Sequence, residues 1–302
     1  HGTPTTLEGL ALAEGVTGRQ AIRYLIPGLT MVSDAVARFP KRKRAEPSAH
    51  PSTLRMAEAI EAEDLPKAEA ELRGLIATGQ HDEVIHALRQ AITQHFLSFG
   101  HRLIYQVGLE HYLATQGWEH ADPILGAHLA GLISGIRHDT LPPWRRWMTR
   151  IETLTCEPAS TDRDDFDPRR LADAVILGSE DAVFTALDDA LHDNASVQQL
   201  AQALLLAACE TMRRFRTELD ADPSCQDDWL NITHALTTSV AAVEFSRTAE
   251  PEIVLRMILL NTRFLHGMQP LLGEAHHYDA PEDPQALVES CFEDPSSRPI
   301  VT

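Results

Sequence analysis

Apolar residues recur at helical spacing over most of the chain, and no long stretch alternates between apolar and polar residues. For example, Val84, Leu88 and Ala91 lie three or four positions apart, as on one face of an amphipathic helix. The run 196–218 is longer, alanine-rich and apolar, and it begins at Ser196, a favourable N-cap. It predicts a central buried helix. We therefore predict an all-α fold, a helical bundle without a sheet.

An internal repeat divides this bundle. Three blocks of the first half reappear in the same order in the second half: 76–92 over 175–191, 95–107 over 228–240, and 122–142 over 250–270. The second half carries an insertion that accommodates the apolar run described above. Insertions that fall between helices are typical of a duplicated helical unit. We predict a bundle built from two pseudo-repeated helical units.

The same pattern divides the chain into three regions. Residues 1–52 are expected to form an N-terminal helical extension and a charged linker, and residues 53–272 the duplicated helical core. Within the core, the repeat units cover about 70–150 and 168–271. Residues 273–302 are rich in Pro, Asp and Glu and are expected to form a C-terminal tail.

Charge excludes two classes of partner. The chain has 26 Lys and Arg against 44 Asp and Glu, a net charge of −18, which argues against binding to nucleic acid or to an anionic membrane surface. No apolar run approaches the roughly 20 residues of a membrane span.

The 4 cysteines form no C-x-x-C pair, so no zinc ribbon is expected. Without a secretory signal pattern, the expected location is the cytoplasm.

Two pairs of histidines occupy equivalent positions of the repeat, His101 with His234 and His138 with His266. In each half, the first histidine follows a helix start expected near residue 95 or 228, and the second ends the next helix. Consecutive helices with short connections pack antiparallel, so the two histidines of a half can face each other. A pseudo-twofold axis could then bring all four imidazoles to one point. Four imidazoles suit Fe, Cu, Ni or Zn, and we predict a mononuclear site with Fe(II) as the first candidate.

A structural role for these histidines remains open. A protonated histidine near a helix C-terminus is stabilised by the helix dipole, which suits His138 and His266. It does not suit His101 and His234, which the pattern places about two turns inside their helices among apolar residues. The metal site is therefore the favoured interpretation of the four.

Other polar residues are candidates for a place in the site. His111 and His128 lie on the helices concerned but have no histidine at the repeated position, and they are reserve ligands. Glu210 either pairs with a neighbouring arginine or acts as a ligand or base. His95 and Asp228 are equivalent in the repeat and are interpreted as helix caps or as hydrogen-bonding partners of the ligands.

Three blocks of the sequence resemble those of the questin oxidase-like proteins and of related bacterial helical domains that occur with Rieske ferredoxins: HFLSFGHRLIYQ, DDWLNITHALTTSV and TRFLHGMQP. The resemblance covers roughly residues 70–270. It implies an all-helical non-haem iron oxygenase that acts on polycyclic aromatic compounds at a histidine-rich site. The motif histidines are His101, His234 and His266, whereas His138 enters through the internal repeat alone. The chain is shorter than a typical questin oxidase, which affects the expected substrate pocket.

Two functions follow as expectations. The first is a metal-dependent oxidoreductase that oxidises a hydrophobic, aromatic small molecule with O2 at the four-histidine site, with a ferredoxin-like protein as electron donor. The second is a helical scaffold without chemistry of its own that binds a protein partner such as a ferredoxin-like domain. The acidic composition and the lack of an assignable base or nucleophile favour the scaffold. Convergence of the four imidazoles would distinguish the two.

Overall fold

The computed structural model describes residues 43–153, 158–159, 161–222, 224–225 and 229–276. Over these residues the regular structure is helical and contains no β-strand, which confirms the prediction of an all-α fold. None of the helices in these ranges is both long and apolar enough to cross a membrane. The α-helices are, in chain order, α1 (Thr53–Glu61), α2 (Leu65–Ala77), α3 (His81–Gln94), α4 (His101–Gln116), α5 (Ala121–Ile133), α6 (Arg145–Thr153), α7 (Pro168–Leu177), α8 (Glu180–His192), α9 (Val197–Arg214), α10 (Trp229–Ser246) and α11 (Pro251–His266).

Contacts between Cα atoms divide the chain into two compact units. Among the described residues, the larger unit contains those of 43–212 and of 230–270, and the smaller unit contains those of 213–229 and of 271–276. All four predicted ligand histidines belong to the larger unit.

Backbone pairing joins the two segments of the smaller unit. Phe215 and Leu272 form an isolated antiparallel bridge, and the backbone N–H of Gly273 donates to the carbonyl of Arg214 at 2.7 Å. The Phe215 ring packs against Trp229 with the ring centroids 5.4 Å apart. The unit is therefore held by its own backbone and aromatic contacts.

Two predicted regions lie largely outside the described residues. The N-terminal extension over 1–52 is described only from residue 43, and the tail over 273–302 only as far as residue 276. The three-part division of the chain therefore stays a prediction.

Local signals in the sequence set several helix ends. Ser52, Asp64, Asp167 and Ser179 each cap a helix, because their side chains accept a hydrogen bond from a backbone N–H of the first turn. Prolines lie at the start of α2, α7 and α11, where the missing N–H would have no partner within the helix. These ends depend on neighbours in sequence alone.

Helical hairpins occur at equivalent places of the two predicted repeats. Helices α2 and α3 are joined at Gly79, and α7 and α8 at Gly178, two glycines that the sequence repeat aligns. The pairs α4–α5 and α10–α11 follow in the same order, with α9 inserted in the second half. The order of helices therefore agrees with a duplicated unit.

Two of the predicted helix ends are wrong. The pattern places a helix start near residue 95, but α4 begins at His101 itself. Helix α5 ends at Ile133, so His138 lies beyond it, in the 3₁₀ segment His138–Thr140. In the second half, His234 lies in the second turn of α10 and His266 is the last residue of α11.

The buried face of α10 includes polar side chains among its apolar ones. His234 is 9% exposed and Thr238 is 0% exposed. Buried polar residues are less common than buried apolar ones and need partners, so this face of α10 indicates a site.

Candidate functional site

The structure brings two of the four predicted histidines together. The Nε2 atoms of His101 and His234 lie 2.9 Å apart, and the two rings are nearly perpendicular, with centroids 4.5 Å apart. Two neutral imidazoles at this distance form an N–H···N hydrogen bond, one donating and the other accepting. The distance also fits two adjacent ligands of one ion, since metal–nitrogen bonds of about 2.1 Å at a right angle separate the nitrogens by about 3.0 Å.

A left-handed turn sets the position of His101. Ser98, Phe99 and Gly100 have φ angles of 49°, 58° and 85°, and His101 follows as the first residue of α4. Such angles are uncommon for residues other than glycine and tend to occur at functional sites. A Cβ atom on Gly100 would lie well inside contact distance of the Thr238 hydroxyl. Only glycine therefore fits where α10 approaches the turn.

Helix α10 holds this turn from the other side. Thr238 follows His234 by one helical turn, and its hydroxyl donates to the backbone carbonyl of Phe99 at 3.1 Å. The Phe99 ring stacks beside His234, with centroids 5.6 Å apart. The contact that fixes the left-handed turn therefore also aligns the two imidazoles.

Burial keeps His101 neutral. Loss of water around the ring lowers its pKa to about 4, and the neighbouring His234 and Arg102 act in the same direction. At neutral pH the ring is an uncharged imidazole, the form that coordinates a metal ion or accepts a proton.

His138 lies against the same aromatic side chain as His234. Its ring centroid is 4.3 Å from that of Phe99, and its backbone N–H donates to the carbonyl of Phe96 at 2.9 Å. The Nε2 atom is buried and has no hydrogen-bond partner among the described residues. Burial lowers the pKa of this imidazole, so it too is neutral near pH 7.

His266 makes a different set of contacts. Its Nδ1 donates to the backbone carbonyl of Val175 at 3.0 Å, and its ring lies 6.0 Å from that of Trp147. Within the part of the chain that the structure describes, no three His, Cys, Asp or Glu side chains are grouped so as to hold a metal ion. The structure thus joins His101 to His234 but does not assemble the four histidines at one point.

A network around Asp139 fixes the segment that carries His138. One carboxylate oxygen accepts from the Nδ1 of His95 at 2.7 Å, and the other accepts from the backbone N–H of Phe96 at 2.9 Å. The second ring nitrogen of His95 bonds to Glu61 at 3.1 Å. Burial opposes both charges, but the hydrogen bonds outweigh it, so the pKa of His95 is raised and that of Asp139 is lowered.

Sequence reasoning missed Asp139, since aspartates in loops are common and no second aspartate marks it in the repeat. It found His95, but as a cap or a partner of the ligands. Instead, His95 bonds to Asp139, the residue that follows His138. Of the other candidates, His111 is exposed on α4 and Glu210 is half-buried on α9. Asp228 lies outside the described residues.

Four aromatic rings form an apolar wall near the histidines. The Phe96 ring lies 4.8 Å from Phe264 and 5.2 Å from Trp144, and the Phe99 ring lies 6.4 Å from Phe264. Offset aromatic contacts of this kind stabilise one another, and Phe96, Trp144 and Phe264 are buried.

Comparison with known proteins adds no family to these observations. No family model matches the chain, and neither a curated protein nor a solved structure matches it.

Proposed function

We propose that this protein is a non-haem metal-dependent oxidoreductase that oxidises a hydrophobic, aromatic small molecule with O2. The proposal rests on one observation, the approach of the Nε2 atoms of two partly buried histidines to 2.9 Å at positions that the sequence repeat makes equivalent. Fe(II) is the first candidate for the metal, and Cu, Ni and Zn are alternatives that imidazole also binds. A ferredoxin-like protein is the proposed electron donor.

Two of the donor atoms present are close enough together to bind one ion. His101 and His234 supply two imidazoles, of which His101 is neutral at pH 7. His138 is the proposed third ligand, because its buried Nε2 has no partner among the described residues, although in this structure its imidazole is not grouped with the pair closely enough for all three to hold an ion. A site with few protein ligands keeps coordination positions open for O2 and substrate.

His266 is not part of this proposed ligand set. Its Nδ1–H bond to a carbonyl resembles the bond that orients metal-bound imidazoles. However, its ring packs against Trp147, whereas the rings of His101 and His234 pack against each other. We assign it the role of closing the end of α11.

The side chains around the pair would bind and shield the substrate. A bound iron ion would supply the one-electron chemistry that reaction with O2 requires. Phe96, Phe99 and Phe264 would pack against an aromatic substrate and keep water away from it. The Thr238 hydroxyl would hold the turn, and with it the His101 ring, in place during the reaction.

Metal analysis of protein made in iron-supplemented medium tests the proposal. We expect about one ion per chain in the wild type and loss of the ion in His101→Ala and in His234→Ala. His192→Ala is the matched control, because His192 is exposed on α8 and bonds only to the carbonyl of Asp188. Wild-type protein with substoichiometric metal would contradict the proposal.

Nitric oxide tests whether the iron keeps an open position. We expect a paramagnetic resonance signal from the iron-loaded wild type on addition of nitric oxide, and no signal from His234→Ala. Iron that binds without such a signal would indicate a closed, structural site and would rule out O2 chemistry there.

One observation favours the scaffold as a second candidate. The His101–His234 hydrogen bond already satisfies one nitrogen of each ring, so the pair can crosslink α4 to α10 without any ion. In that case His101→Ala lowers the thermal midpoint, whereas chelators leave the midpoint of the wild type unchanged.

A further inference from the structure

Arg102 is a partly buried cation without a counter-ion among the residues that the structure describes. Its guanidinium has no carboxylate within ion-pair distance there, and its buried Nε has no hydrogen-bond partner. It lies over the Tyr105 ring, 5.3 Å from the centroid. Other partly buried arginines do have carboxylate partners: Arg44 bonds to Asp122 at 2.9 Å, and Arg89 bonds to Glu110 at 2.6 Å.

The lack of a described counter-ion for Arg102 is notable because acidic residues outnumber basic ones, 44 to 26. Holding a cation away from water costs free energy unless an anion compensates it. A side chain of this kind inside an acidic protein indicates that a ligand supplies the negative charge.

Helix α5 leaves room for the guanidinium. A Cβ atom on Gly131 would lie well inside contact distance of the Nη1 atom of Arg102. The guanidinium therefore rests against bare backbone of α5, where a larger side chain would displace it.

His128 provides an independent observation in the same helix. It precedes Gly131 by one helical turn and is 5% exposed, yet neither ring nitrogen has a hydrogen-bond partner among the described residues. On α4, Gln106 follows Arg102 by one turn and is 0% exposed, and its carbonyl oxygen also lacks a described partner. Buried polar groups are nearly always hydrogen-bonded, so several orphaned groups on two adjoining helices point to a polar ligand.

We propose that Arg102 and His128 form the recognition site for the carboxylate of an aromatic acid. The planar guanidinium matches a carboxylate with two parallel hydrogen bonds, and the neutral imidazole adds one N–H donor. One cation balances a monocarboxylate, whereas a phosphate dianion would leave a negative charge uncompensated in a chain of net charge −18. Arg102 directly follows His101, so the proposal rests on the proposed function and narrows its substrate class to aromatic carboxylates.

Calorimetric titration of the metal-free protein with benzoate, benzamide and inorganic phosphate tests this assignment. Benzamide has the shape of benzoate without its charge. We expect saturable binding of benzoate at least tenfold tighter than that of benzamide or phosphate. Failure of benzoate to bind, or equal binding of the three probes, would overturn the proposal.

Variants locate the site. Arg102→Met is expected to weaken benzoate at least tenfold, and Arg145→Met, which removes an exposed arginine at the start of α6, is expected to leave it unchanged. Gly131→Ala keeps the charge and favours helix, but it pushes the guanidinium aside, so we expect several-fold weaker binding in a stably folded protein. If Arg102→Met fails to fold, the affinity of Gly131→Ala for benzoate tests the proposal instead. An unchanged affinity in that variant overturns it.

The two proposals fail separately. Benzoate binding by a wild type that retains no metal would leave the acid site standing and remove the oxidoreductase. Stoichiometric metal together with equal binding of benzoate and benzamide would support the metal site and remove the acid site.

Discussion

Gly100 is the residue on which the geometry of the histidine pair most directly depends. We expect Gly100→Ala to lower the free energy of unfolding by clearly more than Gly79→Ala, measured by urea titration. Both glycines have positive φ, 85° and 72°, so both variants strain the backbone, at a cost of about 1 kcal/mol or more. A Cβ at Gly79 meets nothing within 4 Å, whereas one at Gly100 collides with Thr238. Equal losses in the two variants would show that the contact with α10 is not tight.

The sequence predicts some of the site residues and not others, for physical reasons. The repeat aligns His101 with His234, and the structure places their Nε2 atoms side by side. It also aligns His138 with His266, but these two make unrelated contacts. A repeat in sequence does not specify what each repeated segment packs against in the folded protein. Arg102 carries no sequence signal, since only the tertiary structure shows that no described carboxylate reaches it.

At the scale of elements, the segment around His138 is attached to the segment before α4. Leu97 and Arg137 form an isolated antiparallel bridge, flanked by the bond from the Ser98 N–H to the Ile136 carbonyl at 2.9 Å. Asp139 adds two bonds from its side chain to the same neighbour segment. These contacts end α5 early and carry the chain back toward α4.

Asp139→Ala is expected to destabilise this junction by about 2 to 4 kcal/mol, because it leaves a buried backbone N–H and His95 without their acceptor. Chemical denaturation measures the change. Asp173→Ala is the matched control, since Asp173 is exposed on α7, and its effect is expected within about 0.5 kcal/mol. A loss no larger than that of the control would mean that the backbone bridge alone holds the junction.

The start of α4 shows where periodicity fails at this scale. Apolar spacing continues from Phe96 through Leu103, so the pattern predicts an unbroken helix. Periodicity reports which side chains share a face and is insensitive to the backbone angles of Ser98 and Phe99. The contact from Thr238 fixes those angles, and that residue is distant in sequence.

For the whole molecule, buried neutral histidines should make stability depend on pH. Burial, with a smaller effect of Arg102, lowers the pKa of His128 to about 3, whereas an unfolded histidine titrates near about 6.5. Between these values the unfolded chain binds a proton that the folded chain does not. The contribution of neutral His128 to the free energy of unfolding is therefore fully present above about pH 6.5, and it is lost as the pH falls below that value.

We expect His128→Leu to remove the part of this pH dependence that His128 causes. Between about pH 6.5 and pH 5, the wild type should lose stability relative to the variant with a slope that rises from about 0.7 kcal/mol per pH unit to nearly 1.4 kcal/mol per pH unit, the value for one proton. Urea titrations over this range measure the difference. His192→Gln, at an exposed position, should instead run parallel to the wild type. A constant difference between wild type and His128→Leu would show that folding leaves the pKa of His128 unchanged.

The helical class of the molecule follows from local pattern, but the histidine pair does not, because its members lie 133 positions apart. Bringing together residues of such large sequence separation costs loop-closure entropy, which other interactions must compensate. A nascent chain that has emerged only as far as α9 contains His101 but not His234. Any function that needs both imidazoles is therefore absent during most of synthesis and begins only after α10 has been made and has packed against the start of α4.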